Sequence, residues 1–195
     1  MNEFKFELKP FTTKQEVGHK GTVGPFGEVT VAYMRKKWSD TTESKIELHL
    51  HGEQMPEATY RSLGTNQPTL KDPYLLLDGT PVELNFNKRA FRNKARALKL
   101  TYQERSFEYT VTGVGKGGIL CRPGVKINIA RTKNPTGKGI SSFGTVTGEP
   151  DAIDLALAIV FEEVDTFDLT SSGAAAAALN KIYNLPRAND GNCAD

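Results

Sequence analysis

PDAIDLALAIVFEEVDTF, residues 150–167, decides how the rest of the chain has to fold. Asp151 suits a helix N-cap, Asp154 three residues on answers it as a capping-box partner, and Pro150 stops whatever element comes before. From 152 to 161 only Asp154 is polar. A surface helix needs a single apolar stripe, and a membrane span needs roughly 20 apolar residues. This segment has too much apolar surface for the first and too little length for the second, so the sequence predicts a helix wrapped by protein on every side. The material available to wrap it is the strand-rich chain that precedes it.

That chain reads as a series of short strands. Phe4, Phe6 and Leu8 alternate with charged residues, Val29, Val31 and Tyr33 fall on one face, and Ile46, Leu48 and Leu50 alternate with Glu47 and His49, the period of a half-buried strand. Residues 74–86 form the clearest hairpin, because Asp78-Gly79 accepts the positive backbone angles of a tight turn. Residues 88–100 fit an irregular or helical start followed by a strand from about Ala97. Phe107, Tyr109 and Val111 mark another strand, Val125, Ile127 and Ile129 another, and 143–147 the last. Residues 11–27 and 55–72, punctuated by Gly and Pro, read as loops. A second, alanine-rich helix is expected over 174–183, and residues 186–195 as a flexible tail after a single domain of residues 1–185.

Nine or ten strands without strand–helix alternation predict a mainly β fold: an antiparallel closed barrel, or a sandwich, of about ten to twelve strands. Such a barrel would enclose the C-terminal hydrophobic helix and be followed by the short second one. The acidic helix exit, Glu162, Glu163 and Asp165, would then emerge at the barrel mouth.

The formal net charge of +2 conceals a cancellation. Residues 86–138 hold 13 Lys/Arg against 2 Asp/Glu, whereas residues 139–195 hold 2 against 9. A block this basic attracts phosphate, whether of lipid headgroups, nucleic acid or a soluble ligand. The candidate anion-binding residues are Lys88, Arg89, Arg92, Lys94 and Arg96, together with Lys126 and Arg131 on a strand read as having a basic outer face.

Motifs for other chemistry are weak. Gly113, Gly115 and Gly118 satisfy G-x-G-x-x-G, but strand sequence follows instead of a helix N-terminus, so the pattern reads as a β turn. Pro135-Thr-Gly-Lys-Gly lacks P-loop spacing, although Lys133 and Lys138 could touch phosphate. Two cysteines, Cys121 and Cys193, form neither a disulfide framework nor a metal motif. Together with an N-terminus lacking signal-peptide character, they predict a cytoplasmic protein, peripheral at a membrane surface. Glu47, His49, His51 and Glu53 share one strand face and form a minority metal-site reading, similar to the His-x-His strand of the cupins. No cofactor is expected.

The segments GEPDAIDLALAIVFEEVDTF (148–167), GVKINIAR (124–131) and LDGTPVEL (77–84) give the chain a plan that resembles the tubby-like fold. That fold is shared by tubby C-terminal domains, phospholipid scramblases and the plant LURP-one-related proteins. The resemblance implies a barrel of about a dozen strands threaded by the hydrophobic helix, and a basic face that binds phosphoinositide headgroups. The sequence therefore points first to a non-enzymatic module for an anionic phosphate-bearing ligand, lipid headgroups foremost. The alternatives are a nucleic-acid-binding β protein that stacks bases on Phe91, Tyr102, Phe107 and Tyr109, and a metal-dependent cupin-like enzyme.

Overall fold

The structure is a computed structural model that describes residues 3–36, 42–86, 97–133, 139–170 and 172. Twelve antiparallel strands close into one barrel, each pairing with its sequence neighbours and β1 with β12. They are β1 (Glu3–Thr12), β2 (Glu16–Thr22), β3 (Glu28–Met34), β4 (Ser44–Gly52), β5 (Ala58–Gly64) and β6 (Lys71–Leu77), then β7 (Thr80–Asn85), β8 (Leu98–Tyr102), β9 (Arg105–Val111), β10 (Gly117–Arg122), β11 (Val125–Lys133) and β12 (Ile140–Gly148). The helix α1, Ala152–Glu163, follows. The second helix expected over 174–183 and the tail lie outside the described residues. So do the helical or irregular start at 88–96 and the domain boundary at 185.

α1 occupies the barrel interior. Every residue from Asp154 to Glu162 is buried, so the helix has no wet side, as its sequence demands. Phe161 sits between two wall aromatics, edge-on to Tyr60 at 5.9 Å and tilted against Tyr109 at 5.3 Å between ring centroids. Burying side chains such as Leu155, Leu157 and Ile159 contributes about 1.5–3 kcal/mol apiece. The wall supplies the complementary inward rows, for example Leu48 and Leu50 on β4, Leu75 and Leu77 on β6, and Ile127 and Ile129 on β11. At Gly118 the absence of a side chain is required, because a Cβ there would overlap the Tyr109 hydroxyl.

The helix start follows the sequence closely. The Asp154 amide donates to the Asp151 carboxylate (3.0 Å) and the Asp151 amide to that of Asp154 (2.8 Å), a complete capping box. Its end differs from the expected 167. Val164 is extended, the Asp165 amide donates to the Pro68 carbonyl at 2.8 Å, and a single 3-10 turn, Phe167–Leu169, completes the segment. The Asp78-Gly79 turn has φ of 46° and 74°, the two positive angles its hairpin needs.

Two segments expected as loops are strands, β2 and β5. Their inward rows are Val17, His19 and Gly21 on β2, and Ala58, Tyr60, Ser62 and Gly64 on β5. Small or polar inward residues erase the apolar alternation that identifies a strand.

The barrel is not equally closed along its length. β1 pairs with β12 only from Glu3↔Thr147 to Leu8↔Ser142, and its second half, Lys9–Thr12, pairs with β2 alone. Likewise β6 and β7 pair only from Leu77↔Thr80 to Leu75↔Val82. Both ladders are intact toward the end where α1 begins and part toward the end where it finishes. No helix among the described residues is long and apolar enough to cross a membrane.

Leu155 and Leu157 project from opposite sides of α1, about 160° apart. If the helix is wrapped all round, Leu155→Ala and Leu157→Ala each cost about 2–5 kcal/mol in urea unfolding. A loss under about 1 kcal/mol at either position would mean an open face.

Candidate functional site at the mouth where the helix ends

The two buried carboxylates of α1 mark the two ends of the barrel. Asp154 is fully buried and is gripped by wall guanidiniums. Arg122 from β10 donates at 2.6 and 2.7 Å, and Arg105 from β9 at 3.2 Å. Arg105 also pairs with Asp151 at 2.7 Å, whose pKa is lowered, since the Arg105 contact and the Asp154 backbone outweigh its partial burial. Both carboxylate oxygens of Asp154 and of Asp151 are used to hold the helix start, so the cluster reads as structure.

The other end is less closed. Glu162 does not emerge at the mouth as expected: it is buried, with Oε1 receiving Arg131 Nε at 2.5 Å and Ser142 Oγ at 2.7 Å. Arg131 also donates to the Glu162 carbonyl, closing the last helical turn. Oε2 of Glu162 and Oγ of Ser141 are buried without a partner among the described residues. Burial pushes the Glu162 carboxyl up, against the opposing pull of Arg131 and Ser142.

Beside it, His19 points inward from β2. Its Nδ1 bonds to Glu163 of α1, and its Nε2 to the Ile140 carbonyl of β12 at 2.7 Å. Carboxylate and carbonyl oxygens both accept, so both ring nitrogens must carry hydrogen, which is the imidazolium form. The pKa agrees in direction: burial alone would lower it, but Glu163, the Ile140 carbonyl and Glu162 raise it. His19 thus spans the place where β1 has parted from β12, and ties both strand systems to the helix end. Tyr33 completes the group, its pKa pushed up to about 12 by burial and then by the charge of Glu163, with Arg131 opposing.

Two cavities open here. One of about 370 Å³ runs into the parted seam between Phe11, Val17, His19, Tyr33, Ile140 and Glu163. The other, about 270 Å³, lies between the Gly113–Gly115 turn, Arg131, Glu163 and Phe167. Sequence reading missed His19 because it sits in a segment taken as loop. It placed Arg131 on the outer face although that residue shares the parity of Val125, Ile127 and Ile129, which face inward.

The other expected residues are dispersed. Lys126 is exposed at the end of β11 near the helix start, opposite in both position and direction to Arg131. Lys88, Arg89, Arg92, Lys94 and Arg96 lie outside the described residues. Tyr102, Phe107 and Tyr109 are buried and offer no stacking surface, while Phe91 is outside the described residues. Glu47 is held by Arg61 at 2.5 Å and by His49 at 3.0 Å on the barrel's outer wall. No group of three or more His, Cys, Asp or Glu among the described residues is placed to hold a metal, so Glu47, His49, His51 and Glu53 gain no support as a site.

Charge divides between the two ends. The six connections at the helix-start end (β2–β3, β4–β5, β6–β7, β8–β9, β10–β11 and β12–α1) carry six Asp/Glu and no Lys or Arg. The six at the helix-finish end carry eleven Lys/Arg and two Asp/Glu in sequence, of which Lys14, Arg35, Lys36, Lys116 and Glu43 are among the described residues, with Asp165 and Asp168 added after α1.

Asp154→Ala leaves two guanidiniums facing an apolar interior and removes half the capping box. The expected loss is about 3 kcal/mol, at the low end of the range because Arg105 and Arg122 are part-exposed; thermal and urea unfolding measure it. His19 has a raised folded-state pKa, so its stabilisation is complete below the ordinary value of 6.5 and fades as pH rises through the folded value. The melting-temperature gap between wild type and His19→Gln is therefore larger at mildly acidic pH than at alkaline pH, and a gap that does not change with pH would show that the pair contributes no charge. Compared with known proteins, the chain matches no family model, no curated protein and no solved structure.

Proposed function

We propose that this barrel is a non-enzymatic binding module of tubby-like plan that docks on phosphate-bearing lipid headgroups with the end where α1 finishes. The observation that carries this reading is the sorting of connection charge, with an excess of cations at one end and only acids at the other. An acidic membrane surface attracts each nearby Lys or Arg by about 1 kcal/mol and repels the acids, so such a molecule is oriented before it touches. Lys14, Arg35, Lys116 and Lys133 are exposed at this end. Lys88, Arg89, Arg92, Lys94 and Arg96 belong to the connection between Asn85 and Leu98, whose flanking strands finish and start there. Arg131, committed to Glu162, takes a supporting part by closing the mouth from within. Lys126, at the opposite end, takes none.

Co-sedimentation with vesicles tests the reading. Binding is expected to vesicles containing phosphatidylserine or phosphatidylglycerol, and not to pure phosphatidylcholine, with affinity falling as salt rises. Lys116→Ala with Lys133→Ala lowers affinity at least about tenfold, whereas Lys126→Ala leaves it unchanged. Equal binding to neutral vesicles, or none to either, would overturn it. Salt-sensitive binding to single-stranded oligonucleotide but not to vesicles would transfer the same cations to a nucleic-acid role.

A further inference from the structure

Six large hydrophobic side chains are exposed among the described residues, and their positions are uneven. Tyr74 and Phe143 lie on the barrel wall. Met34 (74 % exposed) closes β3, Val114 (58 %) tips the β9–β10 turn, Ile140 (46 %) opens β12 and Phe167 (38 %) follows α1. All four are at the helix-finish end, and the six connections of the opposite end hold none. Single exposed apolar residues are ordinary on a protein surface; their collection at one end, among cations, is the informative feature.

Val114 is the sharpest case. It sits between Gly113 and Gly115, in a turn whose geometry is supplied by the glycines, Gly115 having φ of 65°. Neither the turn nor the core needs an apolar side chain there. Lys116 follows two residues later, and Phe167 lines the same 270 Å³ cavity as Val114. The acids nearby are partly occupied: the Asp165 carboxylate accepts from the Phe167 amide at 2.9 Å, leaving Asp168 as the exposed one beside Phe167.

We infer that the protein meets the bilayer end-on: Val114, with Phe167, Ile140 and Met34 around it, passes below the headgroups while Lys14, Arg35, Lys116 and Lys133 stay among the phosphates. This rests on the lipid-docking reading and adds to it an orientation and a depth. The barrel axis stands across the membrane surface, α1 points its C-terminal end at the lipid, and the acidic end faces away. Apolar side chains interspersed with Lys and Arg on one rim are the composition an interfacial surface requires, the cations remaining at headgroup level on their long stems.

An environment-sensitive fluorophore separates this from simple electrostatic adsorption. In a Cys121→Ser, Cys193→Ser background, the label is placed at Val114→Cys or, as the distal control, at Glu149→Cys. On phosphatidylserine-containing vesicles the label at 114 is expected to shift to the blue and to be quenched by lipids brominated on their acyl chains, and the label at 149 to do neither. Val114→Asp is expected to weaken vesicle binding about tenfold at unchanged melting temperature. If the protein sediments with acidic vesicles while the label at 114 is unaltered, or both labels respond alike, the end-on inference falls and the docking function stands. If no vesicle binds it, both fall.

Discussion

A helix with no solvent-facing side carries two carboxylates into a barrel, and the fold depends on neutralising them. A lone charge buried there would cost more than the apolar packing around it returns. Asp154 and Glu162 are held by arginines projecting from the wall, Arg105 and Arg122 at one end and Arg131 at the other. The spacing fixes the helix axially, because sliding by one turn, about 5.4 Å, would carry both acids past their partners at once. Apolar packing encloses α1; the three arginines set its depth.

This division explains what the sequence made legible. The helix start, its capping box, the Asp-Gly hairpin and the β9 and β11 strands rest on local signals, namely an apolar run, a cap three residues before its partner, and a two-residue alternation, and each appears where it was expected. β2 and β5 were missed because their inward rows include glycine, serine and histidine, which are chosen by neighbours far along the chain. Gly21 lies against the backbone of Glu7 and Leu8, and His19 is matched to Glu163, 144 residues away. Arg131 was misplaced for a related reason. An inward arginine in a row of isoleucines makes sense only once Glu162 is known to face it, and the helix reading had put Glu162 outside.

The two ends also solve the same problem differently. At the helix start the capping box and the Arg105–Arg122 grip use both carboxylates in full, and turns such as Pro123-Gly124 are short. At the helix finish the ladder pairs part, Pro10 contributes no backbone donor where β1 leaves β12, and the Ile140 carbonyl so released is taken by the His19 ring. A histidine side chain here replaces backbone pairing. The Nε2–H bond to Ile140 survives in the neutral ring, while the Nδ1–H bond to Glu163 needs the second proton, so the strands stay joined by one imidazole whose tie to the helix depends on pH.

That asymmetry bears on where binding can reside. A closed barrel filled by its own helix leaves no interior for a ligand, so recognition must come from the wall or from an end. On the wall Arg61 and Lys71 are paired with Glu47 and Glu43, whereas Lys5, Lys45 and Lys99 are exposed there, and the connections of the helix-start end carry only acids. The helix-finish end combines parted strand pairs, exposed apolar side chains and an excess of lysine and arginine in its connections. Exposed apolar side chains are unfavourable in a surface that meets only water, and the docking proposed for this end would cover them.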